Sequence, residues 1–317
     1  MQDEGLLVMS DVRQMPLFPA QPVSEDELNV HTRLQDTIAL FQRFLMRSGK
    51  SQHTLKAFTA DMGVFSDYIG DDEEIGSLTT TRLNEYLHWM QHERGVPCSQ
   101  KTYARRVTTL KVYFKWLHEI NALESDPARA VLQVPQAAPL AVVLTPEEVE
   151  DALAHAKSLR RSEKPDARPE TLFRLLLDTG IKKNEVLSLT PANIDRGALT
   201  ITVRHKSQKD VYKERIIPIS REWLDALDEY VGQYTPRNTI FDCAPRTLEY
   251  VLEDLSGGAG IATKISFELM RWTCAVRDYR AGMQPEAIRE KLGLSEITWH
   301  DTYKRVQRLA AEQENKK

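Results

Sequence analysis

Residues 171–195 read TLFRLLLDTGIKKNEVLSLTPANID. An apolar helical run ends at Thr179-Gly180, a Glu-Val-Leu-Ser-Leu segment follows at 185–189, and Ile194-Asp195 closes the stretch. Just downstream, LTITVRH (199–205) and ERIIPIS (214–220) alternate and are rich in β-branched residues. That pattern predicts two strands joined by the polar SQKDVYK. Around this hairpin the C-terminal half is helical in pattern, starting at Pro146-Glu-Glu with Thr145 as N-cap, and the glycine pair at 257–258 is expected to break it. The expected fold is therefore mainly α with a small antiparallel β-sheet.

Upstream, residues 31–130 are helical throughout. LQDTIALFQRFLM places Leu34, Ile38, Phe41 and Leu45 on one face at steps of four, three and four. Three more helices fit SQHTLKAFTADMGVFSDYI, TTTRLNEYLHWMQHE and SQKTYARRVTTLKVYFKWLHEI, with Ser51, Thr79 and Ser99 as N-caps. Residues 131–145 are poor in charge and carry Pro135 and Pro139, which marks a linker. Residues 1–30 hold six acids and one base in an aperiodic, proline-containing stretch, read as a mobile acidic arm. The division is thus an arm (1–30), an all-helical domain (31–130), a linker (131–145) and a second domain (146–317).

The 317 residues suffice for two domains with their own cores. No run approaches the ~18 consecutive apolar residues of a membrane span, so no membrane partner is expected. MQDEGLLVMSDVRQ lacks the basic start and apolar core of a secretory signal, which places the expected location in the cytoplasm. Cys98, Cys243 and Cys274 are widely spaced and odd in number, which suits reduced thiols. His88 and His92 have the i,i+4 spacing of paired zinc ligands, but Trp89 stands where a hydrolytic glutamate would. No third ligand is evident, and no metal or other cofactor is expected.

The net charge of -4 hides one local excess. Between Cys98 and Leu117 lie Lys101, Arg105, Arg106, Lys111 and Lys115 with no acid, while Tyr103, Val107, Leu110, Phe114 and Leu117 form an apolar stripe. A solvated polar face fits these bases. So does a phosphate-binding surface, and the single sign of the charge favours the second, because mixed signs serve solubility equally well.

Four stretches, in order, resemble the motifs of the tyrosine recombinases, the phage integrase family. The 171–195 segment is similar to that family's first catalytic box, and RHKSQKDVYKERIIPI (204–219) to its catalytic hairpin. SFELMRWTCAVRDYRAG (266–282) is similar to its His-x-x-Arg box, and KLGLSEITWHDTYKRV (291–306) to the segment bearing its nucleophilic tyrosine. The N-terminal helices resemble its SAM-like core-binding domain, so the likeness covers about residues 31 to 310. It implies a two-domain clamp on double-stranded DNA and metal-free transesterification through a 3′-phosphotyrosine. It also implies a C-terminal segment, here KRVQRLAAEQENKK, that packs on a second copy or a related recombinase; an ordinary terminal helix fits as well.

Carried over residue by residue, the resemblance puts the nucleophile at Tyr303, the second arginine at Arg271 and the hairpin lysine at Lys206. Three positions depart from the pattern: Lys182 at the first arginine, Glu268 at the histidine, and Leu294 at the histidine or tryptophan. The transition state crowds negative charge onto phosphate oxygens, so donors aimed there should supply much of the rate. Lys182 keeps charge without the bidentate fork, and one lost charge-assisted bond costs roughly 1.5–3 kcal/mol. An ionised Glu268 at ~4 Å from a phosphate oxygen would repel it by about 4 kcal/mol at an effective dielectric of ~20. Lying i,i+3 from Arg271, it is also placed to neutralise that cation. Two rescues stay open: a buried Glu268 that holds a proton or acts as base toward Tyr303, and His300 as a replacement donor. Spacing alone also allows Tyr303 to be a packing residue, because Trp299, Tyr303, Val306 and Ala310 form a stripe.

The leading expectation is a DNA-binding protein of this family with strand exchange lost or impaired. An active divergent recombinase is the alternative, and an interaction protein that reuses the fold without DNA is the third reading.

Overall fold

The computed structural model describes residues 24–70, 72–96, 98–131, 141–204 and 214–314. The chain forms two compact units, Met1–Ala137 and Ala138–Lys317.

In the first unit, four helices enclose one core: α1 (Leu34–Arg47), α2 (Gln52–Ile69), α3 (Thr80–His92) and α4 (Gln100–Glu119). Ser51, Thr79 and Ser99 each accept a hydrogen bond from the backbone N–H three residues on, satisfying a donor the first turn leaves unpaired. On α1, Leu34, Phe41 and Leu45 are fully buried and Ile38 packs against them. α4 is buried over a wider arc than its stripe predicts, because Tyr113 and Trp116 pack with Phe41 on α1. Residues 24–30, expected within the acidic arm, belong to this unit. Glu25–Glu27 form a 3-10 turn, Leu28 is buried in the core, and Gly76 donates its N–H to the Val30 carbonyl.

The second unit begins with Leu144 buried in its core and bonded from N–H to the Thr273 hydroxyl. α5 (Pro146–Arg160) starts on a Thr145 capping box and is followed by α6 (Arg168–Thr179) and the short α7 (Lys183–Ser188). The predicted hairpin is present as β2 (Thr200–Val203) against β3 (Arg215–Pro218), with Thr202 opposite Ile216. A two-residue strand, β1 (Ile194–Asp195), extends it to a three-stranded antiparallel sheet in the order β1-β2-β3. Five helices complete the unit: α8 (Arg221–Tyr234), α9 (Pro245–Gly258), α10 (Phe267–Arg280), α11 (Pro285–Leu292) and α12 (Glu296–Glu314). The helical run ends at the glycine pair as expected: α9 closes on Gly257 and Gly258, its apolar face held in the core by Leu248, Leu252 and Leu255. α10 lies at the centre, packed on α6 and α12, and a second cluster around Trp299 and Val306 seats α12 on it. No described helix is long and apolar enough to cross a membrane.

Candidate functional site

Two helix ends make the floor of the site. α6 stops where Gly180 turns left-handed at φ +58°, and α11 stops where Gly293 does the same. Arg271, on α10, donates from Nη1 to the Gly180 carbonyl at 2.6 Å and from Nη2 to the Leu292 carbonyl at 2.5 Å. Both acceptors lie at the negative ends of helix dipoles, which suits a cation. Burial pulls the Arg271 pKa down to about 10; the Glu185 carboxylate opposes that shift and the Arg215 charge adds to it. The guanidinium therefore stays charged at neutral pH, yet among the described residues no carboxylate forms an ion pair with it. A half-buried cation whose described partners are neutral carbonyls favours an anion beside it.

Arg271 lines a cavity of about 350 Å³ together with Lys182, Lys183, Glu268, Leu294 and Thr302. Three of those are positions where the family resemblance expects donors. Lys182 precedes the first turn of α7, is exposed, and donates its backbone N–H to Glu185 Oε2 at 2.7 Å. Its neighbour Lys183 lines the cavity too while pairing with Glu249 at 2.7 Å.

Glu268 departs from both expectations for it. It is exposed on the first turn of α10 and makes no ion pair with Arg271, because the arginine reaches across to carbonyls far away in sequence. It is thus not the buried glutamate that one rescue requires, and exposure screens its repulsion toward the ~1 kcal/mol of bulk water at ~4 Å. Leu294 presents an apolar side chain, half-buried against the α12 cluster. His300 is exposed on α12 and does not line the cavity. Thr302 forms the wall there, while the Tyr303 ring packs on Trp299, centroids 5.3 Å apart, and edge-on against Tyr279 at 6.0 Å. Lys206 lies outside the described residues.

Sequence reasoning missed the pair that organises this floor. Arg215 on β3 grips Glu185 with both prongs, Nη1 to Oε1 and Nη2 to Oε2 at 3.0 Å each, and both side chains are buried. Burial alone would raise the Glu185 carboxyl; the Arg215 hydrogen bonds and charge outweigh it and hold the group below the ordinary carboxylate value. A glutamate three residues after a helix-starting position is a capping signal and could have pointed to Glu185. Nothing local pointed to Arg215.

The basic helix in the first unit needs one correction. Arg106 is buried, its Nε 3.3 Å from Asp61 Oδ1, so it offers no surface charge. Arg105 is partly exposed but already engaged by the same carboxylate. Lys101 is exposed and Lys111 half-buried, and Lys115 sits 3.5 Å from Glu119 in an open pair worth little in water.

The description "phage integrase family" matches residues 142–309, and "phage integrase, N-terminal SAM-like domain" matches residues 38–120. The first match alone spans more than half of the chain, which belongs to the phage integrase family. Among characterised relatives, tyrosine recombinase XerD of Listeria monocytogenes is 23% identical over 291 residues, 87% of this chain and 96% of that one. Tyrosine recombinase XerC of Mycobacterium tuberculosis is 29% identical over 201 residues, 62% of this chain and 65% of that one. The structure of XerH site-specific recombinase in a post-cleavage complex with a palindromic difH substrate superposes with TM-score 0.71 at 16% identity, covering 91% of this chain and 98% of that one. A lambda integrase dimer bound to a COC′ core site gives TM-score 0.67 at 15% identity, covering 85% and 77%. At such identities the likeness establishes the fold.

Proposed function

We propose that this chain binds duplex DNA, that Arg271 holds a backbone phosphate, and that strand exchange is impaired. One observation carries the reading. A half-buried, charged guanidinium whose partners among the described residues are carbonyls lines a cavity together with Lys182, Glu268 and Leu294. An arginine so placed suits binding of a phosphate in its ground state. Chemistry asks for more, because negative charge grows on the oxygens only as the tyrosine attacks. Lys182 supplies a point charge without a fork, Leu294 supplies no donor, and Glu268 brings the wrong sign. Losing two charge-assisted bonds at roughly 1.5–3 kcal/mol each slows cleavage by two to four decades.

XerH and lambda integrase were each captured on their DNA, a difH substrate and a COC′ core site, and family membership supports the same class of ligand here. Affinity would come from the exposed lysines of α4 meeting phosphates, as well as from Arg271.

The test is a nicked suicide duplex, which traps a covalent intermediate by letting the cleaved strand diffuse away. Incubated with this protein it should yield no adduct on a denaturing gel, while a native gel shows a shift that weakens steeply with salt. An adduct that disappears in Tyr303→Phe would establish the active, divergent alternative. Absence of any shift at low salt would leave only the interaction-protein reading.

A further inference from the structure

We infer that Arg215 is a positioning residue for Arg271, acting through the last turn of α11; this rests on the reading of Arg271 as the phosphate-holding group. Among the described residues, Arg215 makes three directed hydrogen bonds. Two go to Glu185, and the third runs from Nε to the Lys291 carbonyl at 2.7 Å. The next carbonyl along, that of Leu292, is the one Arg271 uses.

Followed from atom to atom, these bonds close a circuit. Gly180 accepts from Arg271, which also donates to Leu292; Lys291, beside Leu292, accepts from Arg215. Arg215 grips Glu185, Glu185 takes the Lys182 N–H, and Lys182 lies two residues beyond Gly180. The circuit joins α7, β3, α10, α11 and the end of α6. Three of its members, Lys182, Arg271 and Leu292, line the cavity.

Shape fixes the choice of residues. A Cβ added to Gly293 would fall 2.8 Å from Arg215 Nη1, so the bare left-handed glycine lets the guanidinium lie across the end of α11. Lysine could not replace the arginine, since its point charge cannot hold a planar carboxylate and a carbonyl together. Stability alone explains such a pair poorly, because buried ion pairs often contribute no more than a well-packed apolar substitute. Fixing the direction of two carbonyls is something an apolar substitute cannot do.

Two measurements test the inference. In the free protein, NMR of the arginine side chains should show slow guanidinium rotation for Arg271 in the wild type and faster rotation in Arg215→Lys. Unchanged rotation in Arg215→Lys would overturn the inference whatever happens with DNA. The second measurement is anisotropy with a fluorescein-labelled mixed-sequence duplex, on Arg215→Lys, Arg271→Ala and the double variant. Each single change should weaken binding about tenfold, and the double should be no weaker than Arg271→Ala, because the two act in series. Losses that multiply would mean that Arg215 acts independently of Arg271, and would also overturn the inference. If Arg271→Ala binds like wild type, the phosphate reading fails instead, and the NMR result still decides the coupling. Should Arg215→Lys not fold, Glu185→Gln, which keeps the shape and loosens the fork, carries the same expectations.

Discussion

Arg105 and Asp61 meet across α4 and α2 in a two-pronged ion pair, Nε to Oδ2 at 3.0 Å and Nη2 to Oδ1 at 2.7 Å. The same carboxylate also accepts from Arg106 Nε and, at 3.0 Å, from the Thr109 hydroxyl. It is buried, so Asp61→Ala would leave Arg106 as a buried cation without its counterion. The expected loss is about 3–5 kcal/mol, read as a lowered urea midpoint. A loss under ~1 kcal/mol would mean that water replaces the carboxylate there.

The same geometry separates the bases of α4 by role. Replacing Lys101, Lys111 and Lys115 with alanine should flatten the dependence of DNA affinity on salt, by about 0.9 in log–log slope for each phosphate no longer neutralised. Arg106→Ala should lower the melting temperature and leave that slope unchanged. Equal slope changes from Arg106→Ala and Lys111→Ala would show that burial of Arg106 is relieved on DNA.

Acid provides a signature of the Glu185–Arg215 pair. Glu185 is held below its ordinary value of 4.5, so its contribution to stability is complete above that pH and is lost as pH falls through the lowered value. In Arg215→Met, burial would dominate and the carboxyl would shift upward, so the ionised group would be destabilising at neutral pH. The gap in melting temperature between wild type and Arg215→Met should therefore be widest at about pH 7, begin to shrink as pH falls through the raised value in the variant, and close further through the lowered value in the wild type. A constant gap would place the effect in packing.

Restoring donors tests the account of the cavity directly. Lys182→Arg, Glu268→His and Leu294→His together should raise suicide-substrate adduct at least about tenfold, since each ~1.4 kcal/mol recovered is one decade. The gain should vanish on adding Tyr303→Phe. Failure to gain would locate the defect outside these three positions.

Local chemistry was legible in the sequence. Ser51, Thr79, Ser99 and Thr145 cap the helices they precede, because a hydroxyl just before an amphipathic run has few other uses. Alternation was enough for β2 and β3. What stayed hidden depends on partners distant in sequence. Spacing suggested that Arg271 would take Glu268, whereas the folded chain offers it carbonyls 91 and 21 residues away. The five bases of α4 looked alike in one dimension, and only the arrival of Asp61 from α2 distinguishes Arg106 from Lys101. By contrast, the glycines at 257–258 read as a stop and α9 ends on them, because glycine is a poor helix former and nothing there continues the helix.

Cys274 sits beneath Gly180, its Sγ 3.2 Å from where a Cβ there would lie and 3.6 Å from Asp278 Oδ2. Burial pushes its thiol up to about 12, against the pull of Lys291, so in the closed protein it is almost never a thiolate and no reagent can reach it. Cys98 and Cys243 are only half-buried. A thiol-specific dye should therefore modify two sulfurs quickly and the third only when α6 and α11 part, making the slow phase a clock for breathing of the chamber floor.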